Sequence, residues 1–527
     1  MTRRQILARI TFWIMVATLG SRVLGFLREV QLAYYFGLSD MRGAFTVAFR
    51  IPNLIRTLVA DAAISAAFIP VFTELLVKQS KDTWKVASQM INVTFLALSG
   101  IVILCEIFMP QIIAFTTPGY VSNVELFQHT IHLSRIIFPI IVILGVGGIV
   151  VGVLHSLNYF TAPALAPIFW NIVNIVAVFL FAKTLGIDSA AWGLLVATFV
   201  MLITQAWPLI ISPFLKPGAV LTQFRYSLHL GLKDPTMQQI GFLMIPVTLS
   251  IGIININALV DNYFASLLGP DKVAAIDSAF RLFQLPQGLF AIAIGTVLFP
   301  TLSKYVVQKD MKTYARTLGF GIREIFFITL PFVGWFMVLA LPISRFCFER
   351  GAFTAQDSWL VAQALIYFSI GMCFTSANTL LNRGFYSLKK TWIPLYVGIF
   401  LIFLNAFLDW WLIQHFGYKG ICLSTSLVSI FNFIALLILI KREVPDLHVS
   451  KILMTIFKIP LVTLLLAGIS YFTWTTLDVA FGRSLLGQFG SIVLACSVGG
   501  IVYVGISLAL RFDEVHRTMQ LLIRKKG

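Results

Sequence analysis

Two neighbouring stretches near the start of the chain decide its fold: SRVLGFLREVQLAYYFG, residues 21–37, and GAFTVAFRIPNLIR, residues 43–56. Each belongs to an apolar run long enough to cross a bilayer. Their charged side chains are Arg22, Arg28, Glu29, Arg50 and Arg56. An arginine inside a membrane span is costly unless it faces a partner or a wet cavity. The two helices are therefore predicted to line a cationic cavity at mid-membrane depth that holds an anion.

The composition of the whole chain is that of a polytopic membrane protein. Of its 527 residues, 58% are hydrophobic and 12% are charged, and the mean hydropathy is +0.90. Soluble domains carry about 25% charged residues. The net charge of +17 arises from basic residues in alternate loops, which is typical of the cytoplasmic loops of membrane proteins. No nucleic-acid partner is therefore predicted.

Apolar runs of spanning length number about fourteen, which predicts an all-α fold. They cover residues 8–37, 43–77, 86–115, 125–155, 162–183, 189–213, 236–268, 271–303, 313–342, 356–387, 391–414, 418–440, 451–474 and 484–510. The mixed segment 214–235 is predicted to be an amphipathic helix on the membrane surface. With both chain termini in the cytoplasm, roughly 23 basic residues fall on the cytoplasmic side. Roughly 7, Arg42 among them, fall on the other side.

An internal repeat has a spacing of about 231 residues. At this spacing Arg50 matches Arg281, and the later pairs are Asn174 with Asn405 and Gly186 with Gly417. Six helices per repeat give both copies one orientation, which predicts two lobes related by a pseudo-twofold axis along the membrane normal, around a central site. The predicted domains are the first lobe 1–213, the linker 214–235, the second lobe 236–442, and the extra helices with a basic tail 443–527.

The arginines of both lobes are the first candidate site. The predicted substrate-binding residues are Ser21, Arg22, Arg28, Asn53, Arg56 and Arg281, and the nearby carboxylates are Glu29, Asp61 and Asp277. One interpretation is a set of internal ion pairs that fix helix packing. The surplus of arginines over carboxylates favours an external anion instead, and the guanidinium group suits phosphate.

A second candidate set lies in the second lobe and comprises Asp261, Asn405, Asp409 and Thr425. Asn405 and Asp409 are four residues apart and share a helix face. In the repeat, Asp409 matches Val178, so the shared scaffold does not need the carboxylate. Hard oxygen ligands suit a small cation, which makes a sodium or proton site one interpretation and a hydrogen-bonded structural pair the other.

Other motifs carry less information. His129 and His132 lack a third ligand, and the glycines at 145–152 are predicted to serve close helix packing. The chain has no nucleotide-binding loop and no nucleophile motif. The protein is therefore predicted not to be an enzyme and to need no cofactor.

Several stretches resemble one known family. SRVLGFLRE, AFTVAFRIPNLIR and AAFIPVF, with the later GTVLFPTLSK and RGFYSLKKTWIP, are similar to the MviN/MurJ family of bacterial lipid II flippases, within the multidrug and oligosaccharidyl-lipid exporter superfamily. The resemblance implies that Arg22, Arg28 and Arg281 contact the substrate's diphosphate. It further implies that Arg383 lies near a cytoplasmic gate and that residues 451–510 hold the polyprenyl tail. Many members have aspartate where this chain has Gly43, so Asp40 is a candidate replacement.

The resulting expectation is a flippase of the bacterial inner membrane that moves a lipid-linked peptidoglycan precursor by alternating access. Sodium, protons or the membrane potential would drive it, with Glu29, Asp61, Asp277 and Arg383 as gate or ion-pair residues. Its expected partners are lipid II, membrane lipids and the cell-wall synthesis machinery. The alternatives are an O-antigen-type lipid oligosaccharide flippase, a cation-coupled multidrug exporter and a non-transporting membrane scaffold.

Overall fold

The computed structural model describes residues 3–57, 68–78, 82–215 and 226–515, and within them it contains helices and turns but no strand. Asp61 lies outside these residues, and the side chain of Arg56 is outside the described side chains. The chain is therefore an all-α membrane protein, as the apolar runs predict.

Ten helices form the first part of the chain. They are α1 Arg3–Phe36, α2 Asp40–Arg56, α3 Ile69–Val77, α4 Thr83–Ile107, α5 Met109–Thr116, α6 Val124–Ile137, α7 Ile140–Ser156, α8 Thr161–Leu185, α9 Asp188–Leu215 and α10 Pro235–Ser266. Eight more follow: α11 Pro270–Pro286, α12 Ile292–Val307, α13 Met311–Phe348, α14 Ala355–Ser387, α15 Trp392–Phe416, α16 Tyr418–Glu443, α17 Val449–Phe481 and α18 Leu485–Ala509.

Three predicted spans are interrupted, each close to a proline. The third predicted span divides into α4 and α5 just before Pro110, and the fourth divides into α6 and α7 at Pro139. The eighth contains a π-helical turn, Gln287–Ala291, directly after Pro286. Proline removes one backbone donor and clashes with the preceding turn, which is the physical reason for these breaks.

Among the described residues, ten helices are long and apolar enough to cross a membrane, counting α6 and α7 as one. The chain is thus a multi-pass membrane protein, and fourteen spans stay a prediction. The helices that carry Arg22, Arg28 and Arg281 are not among these ten. These three candidate arginines therefore lie on helices with a weaker membrane-span signal.

The segment between α9 and α10 differs from the sequence prediction in its described part. Residues 226–234 contain no helix, and residues 216–225 lie outside the described residues. Asn92 of α4 donates hydrogen bonds to the carbonyl oxygens of Ser227 at 2.8 Å and His229 at 3.0 Å, and Tyr226 donates to Asn92. Side chains of α4 thus satisfy backbone groups that a helix would have paired internally.

The chain divides into two compact units, Met1–Val273 and Ala274–Gly527. Helix α10 lies in the first unit, where it packs against α2, α4 and α5. The repeat places the same helix in the second lobe. The predicted domain boundaries at 213 and 236 therefore stay a prediction based on the repeat.

Corresponding corners of the two repeats have the same backbone conformation. Gly186, after α8, has φ 56° and ψ −138°, and Gly417, after α15, has φ 58° and ψ −140°. A positive φ is readily adopted only by glycine. Each of these helices packs closely against the next, α8 on α9 and α15 on α16. The repeat predicted from sequence is therefore present in local geometry.

Candidate functional site

A cavity of about 810 Å³ opens within the first unit, between α1, α7, α8 and α9. Its lining is largely apolar, with Gly147 and Gly148 of α7 leaving room on one wall. Arg22 lines the cavity with an exposed side chain and forms no ion pair with the described residues. The guanidinium group of Arg22 is thus accessible from the cavity, and its predicted role in binding an anion stays a prediction.

Ser21 lines the same cavity and also joins α1 to α8. The side-chain nitrogen of Asn171 lies 3.2 Å from the Ser21 carbonyl oxygen and 3.4 Å from its Oγ. Asn171 also donates to the carbonyl oxygen of Pro167 at 2.9 Å. These bonds hold the α1 backbone beside Arg22, so Ser21 has a positioning role whether or not it touches a ligand.

Arg28 has very different surroundings from Arg22. Arg28 is 7% exposed. Its Nη2 lies 2.8 Å from Glu29 Oε1, and its Cζ lies 4.7 Å from the ring centroid of Trp170. Its Nε and Nη1 are buried without a hydrogen-bond partner in the described part of the chain. The acidic neighbour thus ties up one side of the guanidinium group and leaves two donors unused.

Arg42 is a member of this cluster that the sequence interpretation missed. The charge pattern predicts Arg42 to be a loop charge of the outer side, yet it is 3% exposed, and its Nη2 lies 4.0 Å from Glu29 Oε2. Its Nη1 donates to the carbonyl oxygen of Gly37 at 3.0 Å. The signal for this contact in the sequence is the short turn between α1 and α2, residues 37–39, which keeps Arg42 close to the end of α1. Two arginines therefore share one carboxylate.

Gly43 packs against the turn that begins α11. A Cβ at this position would lie 2.5 Å from both the Cβ and the carbonyl oxygen of Pro270. No side chain fits there without a backbone shift, which accounts for glycine at this position. Asp40, the suggested replacement for the family aspartate, is exposed at the start of α2.

Arg50 and Asn53 lie further along α2, where Arg50 contacts α10. Arg50 Nη1 donates to the carbonyl oxygen of Ala258 at 3.2 Å, and Asn53 is half-buried. Tyr120, in the turn after α5, is fully buried, and burial raises the pKa of its hydroxyl above the usual range. Arg50 thus holds α2 against α10 rather than lining the cavity.

Arg281 and Arg383 lie in the second unit. Arg281 Nε lies 3.4 Å from Asp277 Oδ2, one helical turn away, and its side chain remains 34% exposed. Arg383 of α14 lies beside α12, where a Cβ on Gly295 would be 3.0 Å from its Nη1. Arg281 thus combines an ion pair with an accessible face, and its predicted role at the substrate stays a prediction.

In the second candidate set, Asn405 and Asp409 are in direct contact. Asn405 Nδ2 donates to Asp409 Oδ2 at 3.1 Å, and Asp409 is fully buried. Thr425 donates to the carbonyl oxygen of Ile421 at 3.1 Å. Asp261 belongs to the first compact unit, whereas the other three belong to the second. Within the described residues, no group of three His, Cys, Asp or Glu side chains is placed to hold a metal ion.

A bundle of membrane-spanning helices around a cavity with an arginine in its wall is typical of a membrane transporter. The chain belongs to the family described as Lipid II flippase MurJ, whose model matches residues 32–501. Arg281 lies within the matched range, and Arg22 and Arg28 precede it.

Curated relatives extend the likeness over most of the chain. A probable lipid II flippase MurJ of Rhizobium tropici is 31% identical over 81% of this chain and 79% of its own length. One from Buchnera aphidicola subsp. Acyrthosiphon pisum is 30% identical over 92% of this chain and 94% of its own. The lipid II flippase MurJ of Burkholderia cenocepacia is 29% identical over 81% and 82%.

Solved structures give the same family and, more distantly, the same fold. A lipid II flippase MurJ in an inward closed conformation matches with a TM-score of 0.77 and 25% identity, over 95% of this chain and 100% of that one. An inward-facing multidrug resistance transporter of the MATE family matches with a TM-score of 0.68 and 16% identity, over 81% and 95%. The second likeness shows the fold alone.

Proposed function

We propose that this chain moves lipid II from the cytoplasmic to the periplasmic leaflet of the bacterial inner membrane. The supporting observation is the family match over residues 32–501, together with Arg22 in the wall of a cavity of about 810 Å³. Ligand pockets commonly measure about 300–1,000 Å³. Both chain termini are proposed to be cytoplasmic, and cell-wall synthesis enzymes are proposed partners.

The proposed cycle is alternating access, in which the two lobes open in turn to each side of the membrane. Arg22 and Arg281 bind the diphosphate, because guanidinium groups pair with phosphate oxygens through charge-assisted hydrogen bonds. Arg28, held against Glu29, contributes its two unused donors when the helix moves. Helices α17 and α18 accept the polyprenyl tail. No covalent bond changes, so the protein acts as a translocator rather than an enzyme.

Coupling to an ion gradient is a second part of the proposal. The buried Asp409 carboxylate accepts a hydrogen bond from Asn405, and the matching residue in the first repeat is Val178. A charge present in one repeat only is a reasonable place for a proton or sodium ion to act. If so, Asp409→Asn should remove the dependence of transport on the ion gradient while leaving lipid II binding intact.

The test of the function uses Arg281→Ala as the sole copy in a cell depleted of its own flippase. We expect loss of lipid II translocation in a leaflet assay, with normal amounts of protein in the membrane. Arg316→Ala is the matched control, because Arg316 is exposed at the start of α13. Normal cell-wall synthesis with Arg281→Ala would contradict the proposed role of this arginine, and a wild-type chain that fails to translocate would contradict the function.

A further inference from the structure

The cavity that Arg22 lines also contains a buried polar residue that neither the family motifs nor the repeat indicates. Gln205 of α9 lines the cavity and is 7% exposed. Its Oε1 is buried and has no hydrogen-bond partner in the described parts of the chain. Buried polar atoms are nearly always hydrogen-bonded, and the exceptions commonly mark a place for water or a ligand.

The packing around Gln205 keeps its amide at the cavity wall. A Cβ on Gly147 of α7 would lie 2.8 Å from Gln205 Oε1. Because glycine has no side chain, the amide can lie directly against α7. The absence of a side chain at Gly147 thus both widens the cavity and makes room for the Gln205 amide.

The chemistry of the cavity differs from wall to wall. Arg22 on α1 supplies a cation, Gln205 on α9 supplies a neutral amide, and His155 with Phe160 lies at the end where α7 meets α8. A diphosphate needs the cation. The unpartnered Gln205 Oε1 is a hydrogen-bond acceptor, so it cannot pair with the oxygens of an ionised diphosphate, but it can accept from hydroxyl and acetamido N–H groups.

We propose that Gln205 is a specificity residue that hydrogen-bonds the sugar portion of the substrate, while Arg22 binds its diphosphate. This rests on the proposed function, because it assigns parts of the same substrate to different walls of the cavity. The cavity thereby distinguishes a glycosylated polyprenyl diphosphate from the bare polyprenyl diphosphate. The distinction lies in a single amide whose oxygen is unpaired until the sugar enters.

The experiment measures the dissociation constants of purified full-length protein in nanodiscs for two probes. One probe is lipid II, and the other is a polyprenyl diphosphate that lacks sugars and peptide. For Gln205→Leu we expect lipid II binding to weaken about fivefold to thirtyfold, from the loss of hydrogen bonds to a buried polar partner. Binding of the bare diphosphate should stay within about twofold, whereas Arg22→Ala should weaken both.

Two further variants separate a ligand contact from a structural role. Gly147→Ala keeps the amide but displaces its oxygen, so it should also weaken lipid II binding selectively. Gln89→Leu is the matched control, because Gln89 is also buried with an unpartnered Oε1, lies on α4 and is outside the cavity lining. Gln89→Leu should bind both probes as the wild type does.

The outcomes are distinguishable. Unchanged lipid II affinity in Gln205→Leu would overturn the inference, and so would an equal loss of affinity for both probes. In either case the proposed function survives, provided the wild type binds lipid II. A wild-type protein that binds neither probe would contradict the proposed function itself, together with this inference.

Discussion

Arg22 and Arg28 are six residues apart on one helix, yet their environments are opposite. Arg22 is exposed to a cavity and makes no ion pair with the described residues. Arg28 is buried against Trp170 and paired with Glu29. The difference shows that an arginine in a membrane helix can be accommodated in two ways, by a cavity that admits an anionic ligand or by a permanent ion pair with a carboxylate. Residue spacing alone does not distinguish the two.

The largest expected effect concerns Arg28 and its ion pair with Glu29. Glu29→Gln removes the carboxylate shared by Arg28 and Arg42 and leaves both cations buried. Breaking a buried ion pair by removing one partner costs about 3–5 kcal/mol. We therefore expect a marked fall in the unfolding midpoint of the protein in detergent, measured by thermal or denaturant unfolding.

Controls for this prediction come from the same chain. Adding Arg42→Gln to Glu29→Gln removes one uncompensated cation and should recover part of the stability. Glu74→Gln should change little, because Glu74 pairs with Lys78 on the exposed surface. An unfolding midpoint that is the same for Glu29→Gln and the wild type would show that the Arg28 cluster is not a structural ion pair.

The second-largest expected effect concerns Arg22 in the wall of the cavity. Arg22→Ala removes a cation that no described residue neutralises, so stability should stay close to the wild type. Transport should fall about tenfold to a hundredfold, since hydrogen bonds to charged groups are the stronger class. Lipid II translocation in proteoliposomes measures the loss, and the unfolding midpoint checks the stability. A large loss of stability with intact transport would instead show that Arg22 has a structural role and is not needed for transport.

The smallest effect concerns the contact that holds Arg22 in place. Ser21→Ala removes the hydroxyl acceptor 3.4 Å from Asn171, but the bonds to the Ser21 and Pro167 carbonyl oxygens remain. A single neutral hydrogen bond contributes about 1 kcal/mol at most here. We expect transport within about threefold of the wild type. A loss as large as that of Arg22→Ala would instead make Ser21 a direct substrate contact.

The sequence predicts the all-α architecture well, because the length and periodicity of the apolar runs do not depend on how the helices pack together. Every predicted span overlaps an observed helix, and the matched corners at Gly186 and Gly417 follow the repeat. The candidate site is harder to predict from the sequence. Gln205 contacts Gly147 on another helix, and Arg42 contacts Glu29 on another helix. Sequence spacing does not predict such contacts between helices. The amphipathic helix predicted for 214–235 is also absent from its described part, residues 226–234, where Asn92 donates hydrogen bonds to backbone carbonyl oxygens.

The close contact of Gly43 with Pro270 restricts which residues position 43 can hold. An aspartate there would require the first turn of α11 to move, because its Cβ would lie 2.5 Å from Pro270. A substitution at position 43 is therefore expected to be tolerated best together with a change at position 270. A proton relay that depends on an acidic side chain at position 43 cannot operate in this chain, which has glycine there.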